Sequence, residues 1–295
     1  MTRPQAMLLV ALAATWGGSY ALTAVLLDHG LPWAWVAALR LLIGAAVITV
    51  LARRRSGGGG PRSPAWRSAI VGALAAGVSL PMIALGQRWV ASGLAGVIVA
   101  AAPLCTAVLE RAGGGARLGR SGVAGLLTGF AGVVLLFAAD LSGSSDALLG
   151  GLVILLAPLG YGAGAVLGRR WTAGVPPLRQ TADNLAWAAA WATAIALVAT
   201  AAGEGAPALH GAGAWVALLA LGVVGTGLAF TTFFALIAAI GPSRAMLVTY
   251  VAPAFALGYG AAFLHEAVTA AAVAGVALVV AGTVAASRPP TSPEG

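Results

Sequence analysis

The feature that most constrains this chain is a series of about ten apolar runs, each long enough to cross a bilayer, which takes roughly 20 residues per helix. Their approximate limits are 6–27, 33–51, 66–86, 90–110, 119–139, 148–168, 181–202, 213–235, 243–264 and 268–286. The connections are short, and the longest polar one, ARRRSGGGGPRSPAWR, has the Gly and Pro content of a flexible loop. The pattern predicts an all-α integral membrane protein with about ten transmembrane helices.

The composition supports a membrane protein and argues against a nucleic-acid partner. The chain is 60% hydrophobic and 8% charged, whereas soluble domains carry about 25% charged residues. Its formal net charge of +8 comes from arginines in short patches between apolar runs, and not from one continuous polar face. The first run is longer than a signal-peptide core and lacks a convincing small-x-small cleavage site, so we interpret it as a membrane helix.

The positions of the arginines predict the orientation. With a cytoplasmic N-terminus, the cytoplasmic segments hold Arg3, Arg53, Arg54, Arg55, Arg62, Arg67, Arg111, Arg117, Arg120, Arg169, Arg170, Arg179, Arg244 and Arg288. Of the arginines between the apolar runs, only Arg88 falls on the outer side. This bias and the even number of crossings predict a multi-pass protein of the cell membrane with both termini in the cytoplasm.

The chain also contains an internal repeat. A shift of 150 positions brings VAGLLTGFAG onto VAGVALVVAG and Pro103 onto Pro253, and a slightly different shift brings Tyr20 onto Tyr161. We interpret 1–140 and 147–287 as two repeats of about five helices each, followed by a short cytoplasmic tail at 288–295. An odd number of helices makes the repeats inverted, an arrangement in which transporters place the substrate site near the membrane midplane.

These segments resemble the EamA family of the drug/metabolite transporter superfamily. The resemblance lies in TWGGSYALTAVL, ALRLLIGAA, AAPLCTAVLERAGGGARLG and VAPAFALGYGAAFLHEAVTAAAVAGVALVVAG, and it covers nearly the whole chain. It implies the family's fold and a transport function for amino acids, metabolites or toxic compounds. The chain departs from the family pattern at Ala24, where a Lys is common, and at Ala116, where the first repeat lacks the acid that Glu266 supplies in the second.

Polar and aromatic residues within the apolar runs are the candidates for a solute cavity. Trp16 and Tyr20 are four residues apart and share one helix face, which suits an aromatic wall but equally suits helix packing. The further candidates are Ser19, Tyr161, Asn184, Trp187, Thr231 and Tyr250. In the repeat alignment Asn184 falls close to Arg40. One sequence does not orient the faces of these helices.

Arg40 lies inside the second apolar run, where a guanidinium in hydrocarbon costs roughly 3 kcal/mol or more. It follows Trp33 and Trp35, which we expect to anchor the outer helix end, so it lies about 7–10 Å deeper. One hypothesis is that its side chain snorkels to the outer surface. The other is that it points into the central cavity, where it receives an anionic group of the solute or binds carbonyls and hydroxyls of neighbouring helices.

Glu110 and Asp183 are candidates for proton coupling. Each lies at a predicted cytoplasmic helix end, where a solvated carboxylate is the simpler interpretation. The alternative is a carboxylate that loads and releases a proton between transport states. A direct salt bridge between Arg40 and Asp183 is not expected, because their predicted depths lie on opposite sides of the midplane.

Small residues and prolines predict close packing and kinks. Gly125 and Gly129 form a small-xxx-small pair that favours helix contact. Pro81, Pro103, Pro158 and Pro253 fall inside apolar runs, where proline kinks a helix. Such kinks serve as hinges or as static curvature, and the sequence leaves both interpretations open.

The leading hypothesis is a secondary transporter, and specifically an exporter, that moves small organic solutes, amino acids or drug-like compounds by alternating access. The alternative is a membrane-embedded enzyme or a receptor-like scaffold without flux. The sequence contains no nucleotide-binding loop and no metal-ligand cluster, so we expect no enzyme activity, no cofactor and no metal. The solute, the direction, the coupling ion and the oligomeric state are not specified by the sequence.

Overall fold

A computed structural model describes residues 1–56, 61–90, 92–114, 119–136, 145–263 and 270–287. Within these ranges every regular element is helical. The α-helices are α1 Arg3–Asp28, α2 Trp33–Ser56, α3 Ala65–Gly72, α4 Ser79–Gly86, α5 Ser92–Val99, α6 Ala102–Ala112, α7 Arg120–Leu136, α8 Ser145–Trp171, α9 Pro177–Ala199, α10 Ala212–Gly222, α11 Ala229–Ile240, α12 Pro242–Ala245, α13 Val248–Phe263 and α14 Ala270–Ser287. Three π-helical segments, π1 Ala73–Gly77, π2 Thr200–Glu204 and π3 Val223–Leu228, continue α3, α9 and α10.

These elements form about ten spans. Six of them are long and apolar enough to cross a membrane on length and composition: Arg3–Asp28, Trp33–Arg55, Ala65–Gly86, Leu148–Trp171, Pro177–Glu204 and Ala212–Ile240. Shorter apolar helices lie in α7 and α14, and α5 with α6 and α13 make up the rest. The prediction of an all-α membrane protein with about ten helices is confirmed.

Most of the arginines at the span ends lie at one end of the helix bundle, which we call the arginine face. It is defined by Arg53, Arg67, Arg111, Arg169 and Arg244. Two of its arginines bind carbonyls in the last turns of other helices. Arg67 Nη1 donates to Trp171 O at 3.4 Å, and Arg169 Nη1 donates to Ile237 O at 2.8 Å.

The segments π1 and π3 occupy corresponding positions in the two halves of the chain. They begin 150 residues apart, the same shift that relates the two repeated sequences. Each packs on a helix of the other half: a Cβ added to Gly77 in π1 would lie 2.9 Å from Ala188 O in α9. A Cβ added to Gly227 in π3 would lie 3.3 Å from Gly44 O in α2. The two halves therefore interlock through equivalent contacts.

The prolines lie at or inside helices, as the sequence predicts. Pro81 lacks the N–H that would bind the Gly77 carbonyl in an α-helix, and π1 ends at Gly77. Pro103 is the second residue of α6, directly after the break that separates α5 from α6. Pro158 and Pro253 lie inside α8 and α13.

Glycines allow two pairs of helices to pack backbone to backbone. A Cβ added to Gly17 of α1 would lie 2.6 Å from Ala252 O and 2.9 Å from Phe255 Cβ of α13. In the same way a Cβ added to Gly282 of α14 would lie 2.6 Å from Gly125 O of α7. The close contact predicted for the glycine pair of α7 is present.

Candidate functional site

A cavity lies inside the bundle where α1, α2, α4, α8 and α11 meet. It is lined by Trp16, Ser19, Tyr20, Thr23, Val36, Ala37, Arg40, Leu80, Ile83, Ala84, Gln87, Val99, Tyr161, Phe230, Thr249 and Ala252. About 60 Å³ is open to the centres of water molecules, where one water needs about 10–15 Å³. In this conformation the cavity has room for a few waters, so the walls must move apart to admit an organic molecule.

Arg40 is the charged group of the cavity. Its side chain is 7% exposed, its Nε donates to Thr226 Oγ1 at 3.0 Å, and its Nη2 donates to Gly225 O at 3.4 Å. Both acceptors belong to π3, and the Thr226 hydroxyl itself donates to Leu221 O at 2.8 Å, which orients its oxygen lone pairs towards Arg40. The guanidinium thus lines the cavity and also links α2 to π3, whereas its role in transport stays a prediction.

The charge of Arg40 has no carboxylate beside it in the cavity. Among the described residues that line the cavity, none is acidic. A guanidinium has five donors in a planar fork, and among the described residues Arg40 makes two hydrogen bonds. The remaining donors can receive an anionic oxygen.

Aromatic side chains form the walls around Arg40. The Trp16 ring lies 5.7 Å from the Phe230 ring and 5.2 Å from the Phe233 ring, measured between centroids. Tyr20 and Tyr161 come from helices that correspond in the two halves and line the same cavity. Flat rings beside a guanidinium suit a solute that carries both an apolar body and an anion.

The central cavity lies next to a vestibule on the face opposite the arginine face. Gln87 at the end of α4 lines the central cavity and also a vestibule of about 430 Å³ on that face. Asp28, Trp33, Arg88 and Glu204 line the vestibule. Gln87 therefore lies between the central cavity and the vestibule.

An ion pair crosses this vestibule. Arg88 Nη1 lies 2.6 Å from Glu204 Oε1, and these side chains are 43% and 35% exposed. Arg88 follows α4 in the first half of the chain and Glu204 ends π2 in the second half. Because both groups are solvated, the pair contributes at most about 1 kcal/mol, which suits a contact that breaks easily.

The structure brings five of the predicted cavity residues together, and they are Trp16, Ser19, Tyr20, Arg40 and Tyr161. Tyr250 does not line this cavity. It is fully buried against α7, where its hydroxyl donates to Leu126 O at 2.7 Å and Gly129 leaves room for its ring. Thr231 is half-buried and donates to Gly227 O at 2.9 Å.

The other predicted residues lie towards the arginine face. Trp187 and Asp183 line a crevice of about 340 Å³ there. Asp183 accepts from Arg179 Nε at 3.4 Å, and Glu110 accepts from the Ser243 hydroxyl. Asn184, the residue after Asp183 in α9, is buried. Of the residues that the resemblance singles out, Ala116 and Glu266 lie outside the described residues.

The sequence interpretation missed the apolar and amide residues of the cavity, chiefly Leu80, Ile83, Gln87, Val99 and Phe230. None of them carries a charge or a motif that distinguishes it from packing residues. The repeat contained one usable signal, because the shift of 150 positions brings Leu80 onto Phe230, and both line the cavity.

Comparisons with known proteins agree with this architecture. The model of the EamA-like transporter family matches residues 4–138 and 148–288. An "Uncharacterized inner membrane transporter YedA" of Escherichia coli strain K12 is 27% identical over 255 residues, which cover 85% of this chain and 80% of that protein. An "Uncharacterized transporter YoaV" of Bacillus subtilis strain 168 is 24% identical over 261 residues, covering 86% and 87%.

One solved crystal structure has the same fold. It aligns with a TM-score of 0.79 over 97% of each chain at 22% identity. At that level of identity the likeness concerns the fold alone.

Proposed function

We propose a function from one premise: this chain belongs to the EamA-like transporter family and is a multi-pass membrane transporter of small solutes. The transport is secondary and outward, and the solute is an organic molecule that carries an anionic group beside an apolar body. One observation carries this proposal. Arg40 lies in an aromatic cavity deep in the bundle with donors to spare and no carboxylate among the described lining residues.

Alternating access is the mechanism that this architecture supports best. Each repeat has an odd number of helices, which makes the repeats inverted, and the cavity lies where they meet. In the present conformation the cavity leads towards the vestibule by way of Gln87. Rocking one half against the other closes that route and opens one to the arginine face.

Transport is tested with purified protein in sealed vesicles. We expect counterflow of a labelled aromatic carboxylate, at a rate at least about tenfold above that of its amide, because a hydrogen bond to a charged group contributes about 1.5–3 kcal/mol. The panel also includes amino acids and drug-like compounds, with and without a pH gradient. Absence of flux for every compound would contradict the proposal and favour a scaffold or an enzyme.

The arginine face is proposed to be cytoplasmic, with both termini on that side. A fluorescent reporter fused after Gly295 should therefore be active in cells, and an alkaline phosphatase fused at the same position should be inactive. A phosphatase inserted at Gly30, between α1 and α2, is the matched control and should be active. The reverse pattern would contradict the orientation, and phosphatase activity at both positions would contradict the even number of crossings and the inverted repeat with it.

Proton coupling through Glu110 or Asp183 makes a separate prediction. If one of these carboxylates carries the proton, Glu110→Gln or Asp183→Asn should abolish stimulation by a pH gradient. Counterflow, which requires no net proton movement, should persist in the same variant. If both variants keep their response to the gradient, both residues are solvated helix ends that bind Ser243 and Arg179.

A further inference from the structure

The cavity is asymmetric with respect to the repeat. A shift of 144 positions relates α2 to α9, and a shift of 150 relates α3 and α4 to α10 and α11. The lining residues Val36, Ala37, Arg40, Ile83, Ala84 and Gln87 then correspond to Gln180, Thr181, Asn184, Phe233, Phe234 and Ile237. All six of these counterparts are buried, and none of them lines the central cavity or the crevice at the arginine face. The half next to the vestibule therefore contains the cavity, whereas side chains fill its counterpart towards the arginine face.

Backbone contacts support this correspondence. A Cβ added to Gly222 of α10 would meet Arg40 O and the side chain of Ile43 in α2. Its counterpart Gly72 in α3 would meet Asn184 O and the side chain of Trp187 in α9. The same shifts relate both sets of contacts, so Asn184 occupies in α9 the place that Arg40 occupies in α2.

Asn184 differs from Arg40 in having no partner. It is 1% exposed, and neither its Oδ1 nor its Nδ2 finds a hydrogen-bond partner in the part of the chain that the structure describes. The reason lies in π1, where the position equivalent to Thr226 is Ala76, which has no hydroxyl. A buried carboxamide without partners disfavours the conformation that contains it. A conformation that hydrates the amide or gives it a ligand removes that cost.

Two aromatic side chains occupy the positions that correspond to lining residues of the open half. Phe233 and Phe234 stand where Ile83 and Ala84 line the open half, and their ring centroids are 5.8 Å apart. The Phe234 ring and the Gln180 amide both lie against Gly168 of α8, each 3.5 Å from an added Cβ. The Phe234 ring therefore lies next to the turn of α9 that precedes Asn184.

We infer that Asn184 is the polar group of a second cavity, closed in this conformation by Phe233 and Phe234, that opens towards the arginine face and binds the same anionic solute. This inference rests on the proposed function. The Asn184 Nδ2 donates to the anionic group there, as Arg40 does in the open half. Opening requires the Phe234 ring to leave the space next to Gln180.

Thiol labelling tests the inference without any solute. Cys105, the single cysteine, is first replaced by Cys105→Ala, and one cysteine is then introduced by Ala37→Cys or by its counterpart Thr181→Cys. Ala37 is 1% exposed but lines the central cavity, so a membrane-impermeant methanethiosulfonate should label Ala37→Cys from the vestibule side when the cavity walls move apart. It should label Thr181→Cys from the arginine face, although Thr181 is 0% exposed in this conformation.

Asn184 variants decide what controls the opening. Asn184→Leu and Asn184→Ala remove the unpaired amide, so each should raise the Tm and slow labelling of Thr181→Cys at least about fivefold. Thr193→Val is the matched control, because it removes another unpartnered buried polar atom from α9 and should leave that rate unchanged. No labelling from the arginine face, an unaltered rate in the Asn184 variants, or equal slowing by Thr193→Val would overturn the inference. Flux of the carboxylate panel is measured separately, so failure here is distinguishable from failure of the proposed function.

Discussion

Replacing Arg40 with glutamine should reduce transport of an anionic solute at least about tenfold while leaving membrane insertion normal. Arg40 is the charged residue of the cavity, and some of its N–H donors are not used by the described residues. Losing a hydrogen bond to a charged group costs about 1.5–3 kcal/mol. Arg40→Lys should lie between wild type and Arg40→Gln, since an ammonium keeps the charge but loses the planar fork. Initial rates in vesicles, normalised to folded protein, provide the measurement.

Two controls separate the charge of Arg40 from its structural contact. Thr226→Val removes the hydroxyl that accepts from Nε and keeps the guanidinium, so it should retain most of the transport. Arg111→Gln makes the same chemical change at an exposed helix end and should behave as wild type. Near wild-type rates in Arg40→Gln would show that the side chain does not contact the solute. Equal losses in Thr226→Val and Arg40→Gln would assign Arg40 to helix packing.

Replacing Gly17 with alanine should destabilise the protein strongly, whereas the same change at the neighbouring Gly18 should not. A Cβ on Gly17 would come within 2.6 Å of Ala252 O and force α1 away from α13, and overpacking of this kind costs about 1–3 kcal/mol. A Cβ on Gly18 would meet only the Tyr259 ring at 3.5 Å, an ordinary contact. Fluorescence-detected size-exclusion chromatography after heating compares the Tm of the two variants. Equal Tm losses at both positions would contradict a backbone contact at Gly17.

The membrane spans were predictable because the thickness of hydrocarbon sets their length. The predicted run 66–86 corresponds to the span Ala65–Gly86, and 213–235 falls within Ala212–Ile240. The π-helical segments were not predictable, since a run such as VVGTGL is equally apolar in an α-helix. Only Pro81 gave a local signal, because it removes a hydrogen-bond donor next to π1.

The cavity was predictable only where polarity was unusual for a membrane helix. Arg40 could be named as a candidate because a charged side chain in hydrocarbon is costly and therefore indicates a functional position. Tyr250 and Trp187 were named with it, although Tyr250 packs against α7 and Trp187 lines the crevice at the arginine face. Lipid and protein interior are equally apolar. The helices therefore have no amphipathic pattern that would indicate which of their faces lines the cavity.

The contact between Arg40 and π3 has a consequence for how the protein is made. Its two acceptors, Gly225 and Thr226, follow it by 185 and 186 residues, which a ribosome adds in roughly 10–40 s at about 5–20 residues per second. During that interval α2 contains a guanidinium whose protein partners have not yet been synthesised. We expect nascent α2 to stay at the translocon or near the lipid headgroups until α10 arrives. Once the second half has been synthesised, the Arg40 guanidinium binds π3 and becomes buried in the bundle.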